Sequence, residues 1–400
     1  MDAKPPSGLP GWPAWLERIR ISHVLALGLI ARLVVLAVLP DQNFPDASVY
    51  VATGRALART GIMSSSIYMP LYPLWTWMWG GAWGVKFGDV LVSAATVWLI
   101  WRLAGLLTRD RAMALLAAAI AAVYPHSLFY AASGLTETLF TALLLAAFVC
   151  FYQRQFASAS VFLVLTILVR PTLDLVAPLL VAAFALLVHR ASARETAYRV
   201  GQYACIYLVL MTPWWIENYV HYGTFVRLDL GDGIVLYSGN NPMNTSGGGV
   251  LGAKRGSDAD MTSFNSISDP VQRNAALEHA AWEFIERNPA RFIELAGVKF
   301  VRFWRLWPYA GEYARPWIIA ASLMSYGVLL VCSLGYLAVA GRQNFRILSP
   351  VLLLTAYLTA VHMATIGSIR YRFPLEPFMM ILGAAGALVA WQSMSRLRNP

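Results

Sequence analysis

Blocks of roughly 17 to 25 apolar residues, nearly free of charge, recur along the whole sequence, and each is long enough for a helix to cross a hydrocarbon core. Hydrophobic residues fill 58% of the 400 positions and charged residues 13%, against about a quarter charged in a soluble domain. A water-soluble globule of this size could not bury that excess. Inside a bilayer the backbone must satisfy its own polar groups, and the period-two alternation of barrel strands is missing, so the spans read as helices. The expected fold is an all-α polytopic membrane protein, a single membrane domain over 1–400, with about ten transmembrane helices and amphipathic helices on its outer face. The segments are 21–39, 88–107, 112–126, 135–152, 156–170, 172–188, 200–216, 316–340, 347–366 and 374–394.

Charge gives this bundle a direction. Arg102, Arg109, Arg111, Arg154, Arg190, Arg194, Arg199, Arg342, Arg346, Arg396 and Arg398 all fall in the short loops of one side. By the positive-inside rule that side is cytoplasmic, and both termini are expected there. The first apolar block follows Lys4, Arg18 and Arg20 as a signal peptide would, but it is too long and lacks a small-residue cleavage site, so it reads as a retained span. The net charge of +10 comes from 31 basic residues that form no dense solvated run, which argues against nucleic acid as a partner. Cys150, Cys205 and Cys332 lie inside expected spans, where they pack as small apolar side chains.

Two long segments remain on the opposite, outer face. In 40–87, the polar turn Asp41-Gln42-Asn43 and Pro45 introduce a run to Gly61 with Tyr50, Leu57 and Ala58 at helical spacing, expected to lie as an amphipathic helix on the membrane surface. The Pro- and Trp-rich stretch from Met69 to Trp79 suits an interfacial aromatic belt. The second segment, 217–315, opens with turn and strand-like residues, passes the flexible stretch 246–256, and forms a helix from Val271 to Arg305 interrupted at Asn288 and Pro289.

Ionisable residues at the outer ends of spans are costly to place there and are the first candidates for chemistry. Asp46 reads either as a helix cap or as a catalytic acid one turn before Tyr50. Glu137, in Ser133-Gly134-Leu135-Thr136-Glu137, carries the same two readings on the same side. Tyr124, His126 and Tyr130 nearby supply polar and aromatic groups suited to a sugar site. Arg170 is either an ion-pair partner of Asp174, one turn away, or a site residue. Arg370, Tyr371 and Arg372 either snorkel toward headgroups or grip a phosphate with paired guanidiniums. Lys299, Arg302 and Arg305, spaced by three, read as a solvated or headgroup-facing stripe. Arg32, midway along the first span, is expected to face the interior and pair there as a structural residue. Gly247, Gly248, Gly249 and Gly252 lack the Gly-Lys-Ser/Thr ending of a phosphate loop, Asn244-Thr245-Ser246 fits a glycosylation sequon by composition only, and the six histidines show no metal spacing, His126 with His221 being the one outer pair.

Five stretches, taken in order, resemble the polyprenyl-phosphate-sugar-dependent membrane glycosyltransferases of the GT-C fold, in the bacterial branch related to protein O-mannosyltransferases and the lipid A aminoarabinose transferase. They are Asp46 to Tyr50 with Pro70-Leu71-Tyr72-Pro73; Ser133 to Phe140; Thr212-Pro213-Trp214-Trp215-Ile216-Glu217-Asn218-Tyr219 with Gly223; Tyr237-Ser238-Gly239-Asn240-Asn241-Pro242; and Arg370-Tyr371-Arg372-Phe373-Pro374. The resemblance implies an inverting hexosyl- or pentosyltransferase that uses a polyprenyl-monophosphate sugar donor and a glycan, lipid or protein acceptor. It implies Asp46 and Glu137 as catalytic acids, and a site on the periplasmic or outer face of a bacterial inner membrane. Donor-binding residues are then Arg170, Arg370, Tyr371, Arg372, Tyr50 and His126. Asp46 is followed by Ala47 where some relatives carry two adjacent acids, so no cofactor is required, with a divalent metal left open. The competing classes are a transporter or flippase of a lipid-linked saccharide, which needs ionisable residues strung across the bundle, and a glycan polymerase or ligase using a diphosphate carrier.

Overall fold

In the computed structural model, which describes residues 19–39, 44–63, 66–249, 261–308 and 315–398, helices account for the regular structure and no strand occurs among the described residues. The helices are α1 (Ile21–Val38), α2 (Pro45–Thr60), α3 (Leu71–Met78), α4 (Ala82–Thr108), α5 (Arg111–Val123), α6 (Pro125–Ala131), α7 (Glu137–Tyr152) and α8 (Phe156–Val169). There follow α9 (Ala177–Val188), α10 (Ala193–Tyr222), α11 (Asp232–Gly239), α12 (Pro270–Arg287), α13 (Pro289–Phe303), α14 (Pro316–Ala340), α15 (Phe345–Ala364) and α16 (Glu376–Arg398), with a short helical turn at Ile369–Arg372.

Each of the expected spans falls on a helix, but length and composition single out only five that can cross a membrane, or six if α5 and α6 are one span bent by 53°. The chain is a multi-pass membrane protein. Helices α7, α8 and α9 are apolar but shorter, and α10, at 30 residues, is diluted by Gln202, Thr212, Pro213 and Glu217. Helix α7 packs between α4 and α8 at the centre, and α14 lies along α16. Phe148, Phe151, Phe184 and Phe378 interlock there, with the Phe151 and Phe184 rings stacked at 4.6 Å.

Local signals set the helix ends. Asp110 accepts from the backbone N–H groups of Ala112 and Met113 at the head of α5, and Asp269 does the same for α12. Helix α2 stops at Gly61, whose φ of 70° suits a residue without Cβ. At Gly54 an added Cβ would stand 2.8 Å from the Pro73 carbonyl oxygen, so glycine is what lets α2 lie directly on α3. Between α5 and α6, Pro125 breaks the hydrogen-bond ladder, and Arg32 makes good the loss. Its guanidinium donates to the carbonyls of Ala122 at 3.0 Å and Ala121 at 3.2 Å and to Ser93 Oγ at 2.7 Å. Arg32 is therefore buried and paired inside the bundle, as its position in the first span required.

Two expectations on the segment 217–315 change. Its opening, expected to be turn and strand-like, is largely helical: α10 runs on to Tyr222, and α11 follows with Asp232 in its first turn, at the favoured end of the dipole. Lys299 is fully buried in α13, donating to Asn240 Oδ1 at 2.8 Å and to the Ala364 carbonyl, so it belongs to no solvated stripe. Asn244 is fully buried too, its amide held by the carbonyls of Ser238 and Gly248, in keeping with a sequon that is one of composition only. The interruption at Asn288 and Pro289 does divide α12 from α13. Part of the first outer loop and of the glycine-rich stretch lies outside the described residues.

Candidate active site

Four helix termini meet at one end of the bundle. Helix α2 starts because Pro45 fits the first helical position, which places Asp46 in its first turn. Helix α7 starts at Glu137 after the left-handed Gly134, whose φ is 66°. Helix α8 ends at Arg170, pushed into extended backbone by Pro171. The fourth is the turn Ile369–Arg372, capped by Ser368, whose hydroxyl accepts from the Arg370 N–H.

Neither acid caps its own helix. Arg370 instead bridges the two: one terminal nitrogen donates to Asp46 Oδ2 at 2.5 Å, and its Nε donates to Glu137 Oε1. Arg170 donates to the same Glu137 oxygen at 2.8 Å, while Glu137 Oε2 is buried with no hydrogen-bond partner among the described residues. The Tyr68 hydroxyl donates to Asp46 Oδ1 at 3.0 Å. The Asp46 side chain is 28% exposed and that of Glu137 is 0%, so of these two acids Asp46 is the one a substrate can reach. Burial alone would push the Asp46 carboxyl up, but the attraction and hydrogen bond of Arg370, with the Tyr68 bond and Arg170, hold it below the usual carboxylate range. Two carboxylates and two guanidiniums make a formally neutral cluster.

Behind it stands an aromatic wall. Tyr50, in α2, makes edge contacts with Tyr68 at 4.7 Å and Tyr72 at 5.0 Å. Tyr72 donates to Asp89 Oδ2 at 2.6 Å, and the Trp75 indole donates to the other oxygen. On the far side the Arg170 guanidinium lies 4.8 Å from the Tyr371 ring, and Tyr371 stacks on His362 at 4.5 Å. Phe140, Arg170, Thr172, His362, Tyr371 and Pro374 line a small pocket there.

The structure thus brings together Asp46, Glu137, Arg170, Arg370 and Tyr371, with Tyr50 in the supporting wall. Arg372 and His126 form a different group. Arg372 is fully buried, donates to Glu376 Oε1 through two nitrogens at 3.1 and 2.9 Å and to the carbonyls of Phe303 and Arg305, and lies 3.5 Å from the Tyr326 ring. His126 meets the same Glu376 at 3.0 Å. Neither arginine snorkels, and the two do not form a paired grip. Arg170 pairs with Glu137 rather than Asp174, which is taken by Arg227 and by the Tyr207 hydroxyl at 2.6 Å.

Sequence reasoning missed Tyr68, Asp89 and Glu376. Asp89 had a signal, being an acid inside an expected span, and Glu376 had another, four residues after Arg372 on a helix. Tyr68 had none. The carboxylate pair does not fit a metal centre as it stands: the Arg370 guanidinium fills the space between the acids, and no group of three acidic, imidazole or thiol ligands occurs among the described residues.

No family model matches the sequence, and no curated protein matches it. Solved structures do match it in fold. The archaeal oligosaccharyltransferase AglB from Archaeoglobus fulgidus, in complex with an inhibitory peptide and a dolichol-phosphate, is 13% identical with a TM-score of 0.57 over 96% of this chain and 52% of that one. The apo form of the Archaeoglobus fulgidus oligosaccharyltransferase is 12% identical, with a TM-score of 0.53 over 97% of this chain and 52% of that one. ArnT from Cupriavidus metallidurans bound to undecaprenyl phosphate reaches a TM-score of 0.46 at 14% identity, over 94% and 78% of the two chains. The chain spans about half the length of the two oligosaccharyltransferase structures. At these identities the likeness establishes architecture: this chain has the GT-C fold of the matched part of the archaeal oligosaccharyltransferase.

Proposed function

We propose that the chain is an inverting glycosyltransferase that moves a sugar from a polyprenyl-monophosphate carrier to an acceptor hydroxyl, at the end of the bundle where Asp46 lies. The observation that carries this reading is the Arg370 bridge between the reachable Asp46 and the buried Glu137, with Arg170 beside it. A dolichol-phosphate in the matched oligosaccharyltransferase supports the carrier class. By the arginine bias of the opposite loops, this end is the non-cytoplasmic one.

Charge bookkeeping on the reaction explains the cluster. The acceptor oxygen forms a bond to the anomeric carbon while the bond from that carbon to the phosphate oxygen breaks on the opposite face. The acceptor proton passes to Asp46, and the departing phosphate, singly charged as a diester, gains a second negative charge. Protonating Asp46 releases Arg370 from its ion pair as that charge appears, so the cluster goes from neutral to +1 when the phosphate needs a cation. A carboxylate held below its usual range cannot deprotonate a free alcohol; it orients the hydroxyl and accepts the proton late, when the new bond has made it acidic. Glu137 fixes both arginines from below, and Arg170, stacked on Tyr371, stands ready for the phosphate. No step requires a metal, and activity in excess chelator is the expected result.

The test is incubation of the purified protein with a radiolabelled polyprenyl-phosphate sugar and a membrane extract as acceptor. Release of free polyprenyl monophosphate in step with label transfer is expected. Movement of intact donor across vesicles without release would instead establish a transporter.

A further inference from the structure

At the other end of the bundle, a cavity of about 480 Å³ opens on the side of the bundle between α4, α7 and α8, within the size range of small-molecule sites. Its walls come from stripes at helical spacing: Trp98, Trp101 and Arg102 on α4, and Ala146, Val149, Cys150 and Gln153 on α7. The small Ala146 and Cys150 leave room between the indoles. Both stripes run from apolar to polar in the same direction, ending at Arg102 and Gln153, with the exposed Gln155 beyond them. Over Ala146 to Gln153 that gradient extends about 10 Å. Arg102 is exposed and makes no hydrogen bond or ion pair among the described residues.

The backbone at this end carries a second observation. Among the described residues, the non-glycine residues with positive φ are Arg109, Arg154 and Arg190, at 54°, 64° and 56°. Left-handed backbone at a helix end is where glycine is favoured. Here arginine stands there instead each time, and Arg154 sits between the groove residues Gln153 and Gln155. A purely apolar partner would meet the Arg102 cation at the groove mouth, and a free anion would leave the apolar floor uncovered. An amphiphile with one negative charge matches both parts.

We propose that this groove is a specific site for one anionic diacyl phospholipid, with an acyl chain along Trp98, Val149 and Phe162 and the headgroup phosphate at Arg102 and Arg154. The site is separate from the Asp46 cluster, at the opposite ends of α4 and α7.

The full chain in detergent, titrated with phosphatidylglycerol or phosphatidylcholine of identical acyl chains and read by native mass spectrometry, tests this. One phosphatidylglycerol per chain is expected, held at least tenfold more tightly than phosphatidylcholine. Arg102→Gln should abolish that preference, Ala146→Phe should block binding by filling the groove, and Arg346→Gln, an exposed arginine at the same end outside the groove, should change nothing. Equal binding of the two lipids, a preference that survives Arg102→Gln, or dimer masses that vanish in Ala146→Phe would overturn it, the last by showing a second copy on this surface.

Discussion

Arg370 and Arg372 are two positions apart and both pair with a glutamate, yet they sit in regions built on opposite rules. Around Arg372 every nitrogen is committed: two to Glu376 and one to two backbone carbonyls, with the flat face over Tyr326, all out of contact with water. Around Arg370 the partners are shared and partly open, with Glu137 Oε2 left without a hydrogen bond among the described residues and the Asp46 side chain reachable. A buried network whose charges are all paired fixes a structure, and an open one can exchange a partner for a substrate. The difference teaches that the arginine near the last span expected to grip phosphate alongside Arg370 instead locks α16 against the outer segment.

The contrast can be broken at several points. Arg372→Ala leaves Glu376 buried with only His126, and breaking such a pair costs about 3–5 kcal/mol; thermal unfolding should show a strongly destabilised protein. Arg170→Gln should shift the balance the other way, destabilising less than Arg372→Ala because Glu137 keeps Arg370 and a glutamine amide can still donate to it, while transfer from the labelled donor falls about 10²-fold, the scale for losing one transition-state charge contact. Tyr68→Phe removes a hydrogen bond that favours ionised Asp46. Its kcat/KM should drop about tenfold, the scale of a lost bond to a charged group, and the acid limb of its pH–rate profile should move to higher pH. The smallest effect belongs to Lys299, whose ammonium burial pushes down to about 8. The unfolded chain holds that proton up to roughly 10.4, so stability should rise with pH between these values, and Lys299→Met should flatten that rise.

Much of this was legible in the sequence. Long apolar blocks located the helices, because a span must be apolar over its whole length. Asp46, Glu137, Arg170 and Arg370 could be singled out because charge at the outer end of a span is expensive. What they touch was not legible. Adjacent helical residues are about 100° apart, so positions 370 and 372 face nearly opposite ways, and a motif written in a line hides that. The partner of Asp174 is 53 residues away, beyond any local spacing rule. The lone Tyr68, in a loop between helices, had no periodic signal to mark it.

The central claim, that Asp46 takes the acceptor proton in transfer from a polyprenyl-phosphate donor, is tested most directly by single-turnover transfer in wild type and Asp46→Asn at matched thermal stability. The account predicts stoichiometric release of polyprenyl monophosphate by the wild type, and a rate at least 10²-fold lower in the variant. An Asp46→Asn protein that transfers sugar at the wild-type rate would contradict it.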